Sequence, residues 1–192
     1  MNPSPPLPPD LLPPGYPAQL ERTWQAADGA PVCLRAMRPD DLDRELRFIQ
    51  GLSGPTLYLR LQYSSREVSR QDVARLLDLD YHDRMAIAAL VGSAPDETII
   101  GVSRYARIDD SDQAECAIVV TDAWQGRGVG TELIRSLAQA ARANGIRTLV
   151  GVTLGENQRI HAWARRFGFD AHTEPNSGGD VRITLDLGSL PA

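Results

Sequence analysis

The part of this 192-residue chain best suited to chemistry is the segment AECAIVVTDAWQGRGVGTELI, which begins at Ala114. Its apolar start predicts a strand, which passes through a glycine-rich loop directly into an amphipathic helix. The loop residues Gly126, Gly128 and Gly130 let a ligand approach the backbone closely, and the first turn of a helix presents unpaired N–H groups. Phosphate oxygens bind to such groups, and Arg127 adds a permanent positive charge. The segment therefore predicts a site for the phosphates of a cofactor.

Dinucleotide binding of the Rossmann type is one interpretation of this loop. The spacing Gly126-x-Gly128-x-Gly130 does not follow the G-x-G-x-x-G pattern of that fold, however. The strands that precede the loop have an antiparallel pattern, and the loop lies late in the chain rather than in a first βαβ unit. These departures count against a dinucleotide.

Glu115 is the second candidate for chemistry, because it is a carboxylate within an otherwise apolar strand. An unpaired buried charge is costly, so a glutamate in such a place needs a reason. Partial burial makes a carboxylate a better acceptor of protons, which is what a general base requires. The alternative is a glutamate at the exposed start of a strand, without a chemical role.

The remaining pattern predicts the elements that hold this segment in place. Ser69 with Asp72 has the capping-box pattern of a helix start, and Asn144-Gly145 ends the helix that follows the loop. The predicted strands cover residues 30–37, 84–92, 97–108, 114–120, 147–154, 169–173 and 181–187, and the predicted helices cover residues 39–50, 54–63, 69–77, 128–143 and 157–167. This order predicts a mixed α/β sheet protein.

The first seventeen residues, MNPSPPLPPDLLPPGYP, contain eight of the fourteen prolines. Each proline fixes φ and removes a backbone donor, so this stretch predicts an extended, polyproline-like arm. We expect a flexible arm over residues 1–27 and a single domain over residues 28–188. A disordered tail and an arm that binds a partner or embraces a second copy both remain open.

Composition excludes several classes of function. A formal charge of −5, from 20 basic and 25 acidic residues, gives no electrostatic footprint for nucleic acid. No apolar run approaches the ~18 residues of a membrane span, and the N-terminus lacks the pattern of a secretory signal, so we expect a cytoplasmic protein. Two cysteines and three histidines without ligand spacing predict no metal site. Every basic residue is arginine, so the chain has no side-chain amine that could be acylated.

The loop also resembles a known family. Gln125, Gly128 and Gly130 occupy the marked positions of the Q/R-x-x-G-x-G/A motif, which binds acyl-CoA pyrophosphate in the GNAT family of N-acetyltransferases. The segment GENQRIHAWARRFGF is similar to the second signature of that family, with Asn157 before a helix that ends at Gly168. The resemblance covers residues 30–187 and extends to the acetyltransferase domain of bacterial protein lysine acetyltransferases. It implies a mostly antiparallel central sheet of about six to seven strands, flanked by helices.

The resemblance implies acetyl-CoA as the cosubstrate. Backbone amides of the loop would hold its pyrophosphate, with the hydroxyl of Thr131 nearby, and the backbone of the preceding strand would pair with the pantetheine arm. Asn157 would contact the cofactor near its thiol, and a role as helix N-cap could coexist with that contact. Gln125 is alternatively a solvated loop residue. The implied cofactor-binding residues are Ile118, Val119, Val120, Gln125, Gly126, Arg127, Gly128, Val129, Gly130, Thr131 and Asn157.

The resemblance also implies a catalytic arrangement. Glu115 would take a proton from the attacking amine, directly or through water, and the N–H of the strand near Val119 would stabilise the oxyanion. Many family members have a tyrosine as general acid where this chain has Ala164. The acid therefore stays unassigned, with His161 and Tyr105 as weak candidates. The implied acceptor-side residues, for which ordinary packing is the alternative, are Tyr58, Arg60 and Tyr63.

The sequence thus predicts an N-acetyltransferase that moves an acetyl group from acetyl-CoA to a primary amine, on either a protein lysine or a small molecule. The alternative is a non-catalytic acyl-CoA-binding sensor module, which the absent tyrosine allows and Glu115 disfavours. We expect no nucleic acid, membrane or metal among the partners. An exposed sheet edge near the C-terminus leaves a homodimer open.

Overall fold

A computed structural model describes residues 11–61, 68–93, 96–173 and 179–190. Its centre is an eight-stranded sheet with the order β1-β2-β3-β4-β5-β6-β8-β7. The strands are β1 (Arg22–Gln25), β2 (Pro31–Ala36), β3 (Arg84–Val91), β4 (Thr98–Arg107), β5 (Gln113–Val120), β6 (Thr148–Leu154), β7 (Asp170–Thr173) and β8 (Asp180–Asp186). Neighbouring strands are antiparallel except β5 and β6, which run parallel. The predicted mixed, mostly antiparallel sheet is confirmed, with one strand more than expected.

Helices cover both faces of this sheet. They are α1 (Leu42–Gln50), α2 (Gly54–Leu61), α3 (Arg70–Leu76), α4 (Val129–Ala143) and α5 (Gln158–Phe167). α4 packs against β3, β4 and β5, and its residues Leu133 and Leu137 are fully buried there. On the opposite face, Phe48 of α1 and Val73 of α3 pack around Val102. Each face of the sheet therefore has its own hydrophobic core.

Local signals in the sequence set several helix ends. The side chain of Ser69 accepts a hydrogen bond from the N–H of Asp72, which completes the predicted capping box at α3. α4 ends at Ala143, and Gly145 beyond it has a φ of +77°. The first helix begins later than predicted, because residues Pro39–Asp41 form a 3-10 turn and α1 starts at Leu42.

The described part of the N-terminal segment differs from the expected flexible arm. Residues Arg22–Gln25 form β1, which pairs along its whole length with β2. Tyr16 is anchored ahead of this strand, because its hydroxyl donates to Glu21 (2.6 Å) and its ring meets Tyr81 edge-on at 5.5 Å. The proline cluster ends before residue 18, so the chain that follows has the backbone donors that a strand requires. The folded unit thus includes residues that we expected in the arm.

β5 and β6 are paired over only part of their length. Residues 113–115 of β5 pair with residues 148–150 of β6, and the pairing stops there. β5 continues to Val120 along β4, while β6 continues to Leu154 along β8. A gap, which we call the β5–β6 gap, therefore opens from Glu115 toward Val120. Its closed end lies at Glu115 and its open end at Val120.

Candidate active site

The glycine-rich loop lies at the open end of the β5–β6 gap and leads into α4. Gly126 and Gly128 have φ values of +79° and +91°, a left-handed conformation that glycine adopts without strain. Turns of this kind gather backbone N–H groups into a concavity that binds anions. No side chain caps the N-terminus of α4, so the N–H groups of its first turn also remain available to a ligand. The loop thus has the donors that a phosphate site requires.

The β1–β2 hairpin supports this loop from behind. A Cβ atom added to Gly128 would lie 3.0 Å from the ring of Trp24, closer than side chains normally pack. The N–H of Ala27 donates to the backbone carbonyl of Arg127 (3.1 Å) and ties the hairpin to the loop. Gly128 is therefore required both by its backbone conformation and by the tryptophan beneath it. The sequence analysis missed Trp24 because it placed this residue in the arm.

The side chain of Arg127 is directed at the hairpin. Its guanidinium makes an ion pair with Asp28 (2.5 Å) and lies over the ring of Trp124, 4.9 Å from the ring centroid. The ion pair holds the loop against the hairpin, whereas the stacking on Trp124 joins two residues of the β5–α4 connection. In the described structure this side chain contacts a carboxylate of the protein, and its contact with a phosphate stays a prediction.

Gln125 joins three parts of the site. Its Nε2 donates to the carbonyl of Val120 (2.9 Å) and to Asp122 (3.0 Å), and its Oε1 accepts from the guanidinium of Arg159 (2.5 Å). It is therefore a structured residue rather than the solvated loop residue considered from the sequence. Arg159 was missed as a site residue, although its position two residues after Asn157 places it in the first turn of α5, beside the loop.

Asp122 connects the loop with α2. Its carboxylate accepts a hydrogen bond from the hydroxyl of Thr56 (2.6 Å) and another from Gln125. Hydrogen bonds from Ser53 and Thr56 hold the pKa of Asp122 below its usual value, and the charge of Arg159 acts in the same direction. The carboxylate is therefore ionised at neutral pH and fixes the start of α2 over the end of β5.

The backbone of β5 presents unpaired groups to the gap. Ladder hydrogen bonds alternate along an antiparallel pair, and the N–H of Thr121 donates to β4 (2.9 Å). Counting back in this register, Val119 is bonded to β4, whereas the N–H groups of Ile118 and Val120 face the gap. The expected oxyanion donor near Val119 stays a prediction, and the register favours the N–H of Ile118 or Val120 for it. The side chains of Ile118 and Val120 lie beneath Gly130, so the floor of the gap is apolar.

Glu115 lies at the closed end of the gap, where β5 is paired with Ala106 of β4 and Val150 of β6. Its side chain is exposed, so the burial that we expected is absent. Its place in the sheet fits this exposure, because β5 and β6 separate immediately after Glu115. The carboxylate stands at the surface beside the vertex of the gap.

The first turns of α5 form the other side of the gap. The side chain of Asn157 accepts from the N–H of Ile160 (3.2 Å), so the alternative role of N-cap is present. The hydroxyl of Thr131 accepts from the indole of Trp163 (3.1 Å) rather than facing the loop amides. His161 contacts the carbonyl of Leu154 at 3.0 Å.

Two further residues bear on the general acid. Ala164 is buried in the core near the aromatic rings of α5. Burial raises the pKa of Tyr105, and its hydroxyl donates to the carbonyl of His82 (2.8 Å) in the core on the α4 face. Tyr105 is thus separated by the sheet from the face that carries Glu115. The acid stays unassigned.

The residues that the resemblance implies for the acceptor side belong to α2 and the segment after it. Tyr58 and Leu59 of α2 are exposed, and α2 contacts both β5 and β6. Of the other implied residues, Arg60 lies in α2, and Tyr63 lies outside the described residues. Register places Glu115, Val150, Val152, Thr184, Arg182, Asp170 and His172 on one face of the sheet. Val152 in the middle of this face is 54% exposed, whereas Val150 beside Glu115 is buried, so the face is open around Val152.

We also searched the described residues for a metal site, a membrane-spanning helix and a cavity that contains Glu115. No group of three or more histidine, cysteine, aspartate or glutamate side chains is placed there to share a metal ion. No helix in the same part of the chain has the length and apolar character needed to cross a membrane. Cavities of about 370 and 230 Å³ lie beside Trp124 and beside Arg44, and neither is lined by Glu115.

Comparison with known proteins agrees with this geometry. The profile described as the acetyltransferase (GNAT) family matches residues 56–169. An acetyltransferase of Pseudomonas aeruginosa is 34% identical over 160 residues, which make up 83% of this chain and 86% of that protein. The acetyltransferase Pat of Mycolicibacterium smegmatis is 30% identical over 145 residues, or 75% of this chain and 43% of that protein. The solved GNAT domain of S. lividans PAT has a TM-score of 0.82 and 31% identity, covering 89% of this chain and 99% of that domain.

Proposed function

The chain belongs to the acetyltransferase (GNAT) family, and from that premise we propose that it transfers the acetyl group of acetyl-CoA to the ε-amine of a protein lysine, with Glu115 as general base. The observation that carries the proposal is the β5–β6 gap. It has phosphate-type donors at its open end and a carboxylate at its closed end, as a thioester cofactor and an amine acceptor require.

The length of the gap suits an extended cofactor arm. From Glu115 to Val120 the strand advances roughly 17 Å, at about 3.3 Å per residue. The pyrophosphate would lie on the loop amides and the pantetheine along the unpaired backbone of β5, as an added strand pairs with a sheet edge. This arrangement places the thioester near Ile118, within reach of an amine that enters over Glu115.

The chemical step is a direct attack. Glu115 accepts a proton from the lysine ammonium, directly or through water, and the free amine attacks the thioester carbon. The N–H of Ile118 or Val120 stabilises the oxyanion of the tetrahedral intermediate. The carbon–sulfur bond then breaks, and the coenzyme A thiolate leaves with the electron pair. The positively charged nitrogen of the intermediate gives its surplus proton to water, which leaves the neutral amide. A thiolate is weakly basic, so it can leave without a dedicated acid.

A protein lysine is favoured over a small amine by the shape of the acceptor side. Small-molecule sites are usually concave, whereas Glu115 stands on the open face that includes Val152. Exposed carboxylates such as Asp170 lie on that face and attract an ammonium group. The resemblance to protein lysine acetyltransferase domains points in the same direction. A lysine side chain presented by a folded partner can reach such a surface.

The test compares the wild type with Glu115→Gln and with Asp110→Asn, which removes an exposed carboxylate in the β4–β5 turn. Release of coenzyme A is measured with lysine-containing proteins and peptides, polyamines, amino acids and aminoglycosides as acceptors. We expect turnover with protein lysines, a loss of roughly 10²–10⁴-fold in Glu115→Gln, and no loss in Asp110→Asn. Because the chain contains no lysine, every acetyl-lysine found by mass spectrometry comes from the acceptor.

A different experimental result would contradict each part of the proposal. Full turnover in Glu115→Gln would refute the assignment of Glu115 as general base. Turnover with small amines alone would refute the assignment of a protein lysine as acceptor. Binding of acetyl-CoA without turnover on any acceptor would favour the sensor module. The cytoplasmic location stays a prediction that cell fractionation tests, and the homodimer one that light scattering tests.

A further inference from the structure

Two arginines flank the glycine-rich loop, and they differ in whether a carboxylate is paired with the guanidinium. Arg127 is paired with Asp28 and stacked on Trp124, as described above. Arg159 is exposed, and its guanidinium donates to the neutral amide oxygen of Gln125. Among the described residues, no carboxylate lies within 4.0 Å of the Arg159 guanidinium. Arg159 therefore keeps a cationic group available beside the loop.

We propose that Arg159 binds the pyrophosphate of acetyl-CoA, in the role that the sequence assigned to Arg127. The Nη2 of Arg159 lies 3.8 Å from the point that a Cβ on Gly126 would occupy, so the guanidinium stands directly over the loop. An anion held by the loop amides would meet the guanidinium from its open side. The proposal rests on the use of acetyl-CoA and is independent of Glu115 and of the acceptor.

Gln125 positions Arg159 for this contact. One N–H of the guanidinium is fixed by Oε1 of Gln125, whose Nε2 is in turn fixed by Val120 and Asp122. The rigid fork of an arginine then directs its remaining donors away from the amide. Charge-assisted hydrogen bonds to a phosphate are stronger than bonds between neutral groups. The bound cofactor would therefore supply the negatively charged hydrogen-bond partner that the described residues do not give Arg159.

The test measures acetyl-CoA binding by calorimetry in the absence of acceptor. The variants are Arg159→Ala, Arg159→Lys, Arg127→Ala and, as a matched control, Arg165→Ala, which removes an exposed arginine from the same helix. We expect Arg159→Ala to raise the Kd about 10- to 100-fold and to flatten its salt dependence. Arg159→Lys should give an intermediate loss, Arg127→Ala a loss of up to about fivefold, and Arg165→Ala none.

A second ligand, acetyl-3′-dephospho-CoA, lacks the 3′-phosphate and so distinguishes a contact with the pyrophosphate from a contact with the 3′-phosphate. If Arg159 binds the pyrophosphate, Arg159→Ala loses the same factor with both ligands. A loss that disappears with the dephospho ligand would assign the residue to the 3′-phosphate and overturn the proposal. A larger loss in Arg127→Ala than in Arg159→Ala, or no loss in Arg159→Ala with an unchanged melting temperature, would also overturn it. Failure here leaves the Glu115 experiment unaffected, because no acetyl transfer is measured.

Discussion

Replacement of Gly128 by alanine tests how the hairpin and the loop fit together. Two costs arise from the structure. A residue with a side chain at a φ of +91° carries a strain of about 1–2 kcal/mol. The new Cβ would also lie 3.0 and 3.1 Å from two ring carbons of Trp24, and such overpacking costs about 1–3 kcal/mol. We expect Gly128→Ala to lower the free energy of unfolding by about 2–5 kcal/mol.

The control for strain alone is Gly145→Ala at the other end of α4. Gly145 has a similar φ of +77°, but a Cβ there would meet nothing within 4 Å. We expect this variant to lose only about 1–2 kcal/mol and to bind acetyl-CoA normally. Urea denaturation gives the stabilities, and calorimetric titration gives the affinities. Gly128→Ala should in addition bind acetyl-CoA about tenfold more weakly, because the clash displaces the loop amides.

A double-mutant cycle isolates the clash. In a Trp24→Ala background the ring is absent, so Gly128→Ala should cost only the strain that Gly145→Ala shows. The reasoning is refuted if Gly128→Ala and Gly145→Ala are equally mild in both assays, or if removal of Trp24 leaves the cost of Gly128→Ala unchanged.

Two further predictions concern folding and the gap. Arg35 and Asp41 form a buried bidentate pair (2.6 and 2.7 Å), so Asp41→Asn should cost about 3–5 kcal/mol in urea denaturation at pH 7. Burial opposes ionisation of Asp41, but Arg35 and the N–H of Arg38 outweigh it and hold the pKa of Asp41 below its usual value. The pair should therefore stabilise the fold fully above about pH 4 and less as the pH falls further, so the difference in stability between wild type and Asp41→Asn should shrink in acid. A difference that stays constant as the pH falls would contradict this. By NMR, the amides of Ile118 and Val120 should exchange faster than that of Val119 and become protected by acetyl-CoA, whereas equal rates would contradict the assigned register.

Much of the fold could be predicted because it depends on local pattern. Strand runs such as the one ending at Val120, the turn glycines and the caps at Ser69 and Asn144 each follow from neighbouring residues. β1 could not be predicted, because residues Arg22–Gln25 are few and become a strand by pairing with β2.

Some site residues likewise follow from local sequence, whereas others depend on partners that are distant in sequence. Gly126 and Gly128 were found because a backbone conformation specifies glycine locally. The roles of Arg127 and Arg159 depend on through-space partners, Asp28 and Gln125, which are distant in sequence. Sequence spacing predicts a phosphate contact for the nearer arginine, Arg127, and could not show that its guanidinium is paired with the hairpin.

The sequence alone could not decide the surroundings of Glu115, because it allowed both a buried glutamate and one at the exposed start of the strand. An isolated glutamate in an apolar strand indicates burial when the strand has neighbours on both sides. Here the neighbour on one side departs after three paired residues, and that departure depends on how β6 follows β8. The pattern identified the residue but not its surroundings.

The short pairing between β5 and β6 also determines where the two parts of the sheet can separate. Three residue pairs join the backbone of β5 to that of β6, all at the Glu115 end of the gap. At the Val120 end, side chains connect the two parts instead, because Arg159 is bonded to Gln125 and Trp163 to Thr131. A relative rotation of about 5° about the paired end would widen the opening by roughly 1.5 Å at Val120, some 17 Å away, and hardly at all at Glu115. Backbone pairing therefore fixes the spacing at Glu115, whereas the spacing at Val120 depends on side-chain hydrogen bonds.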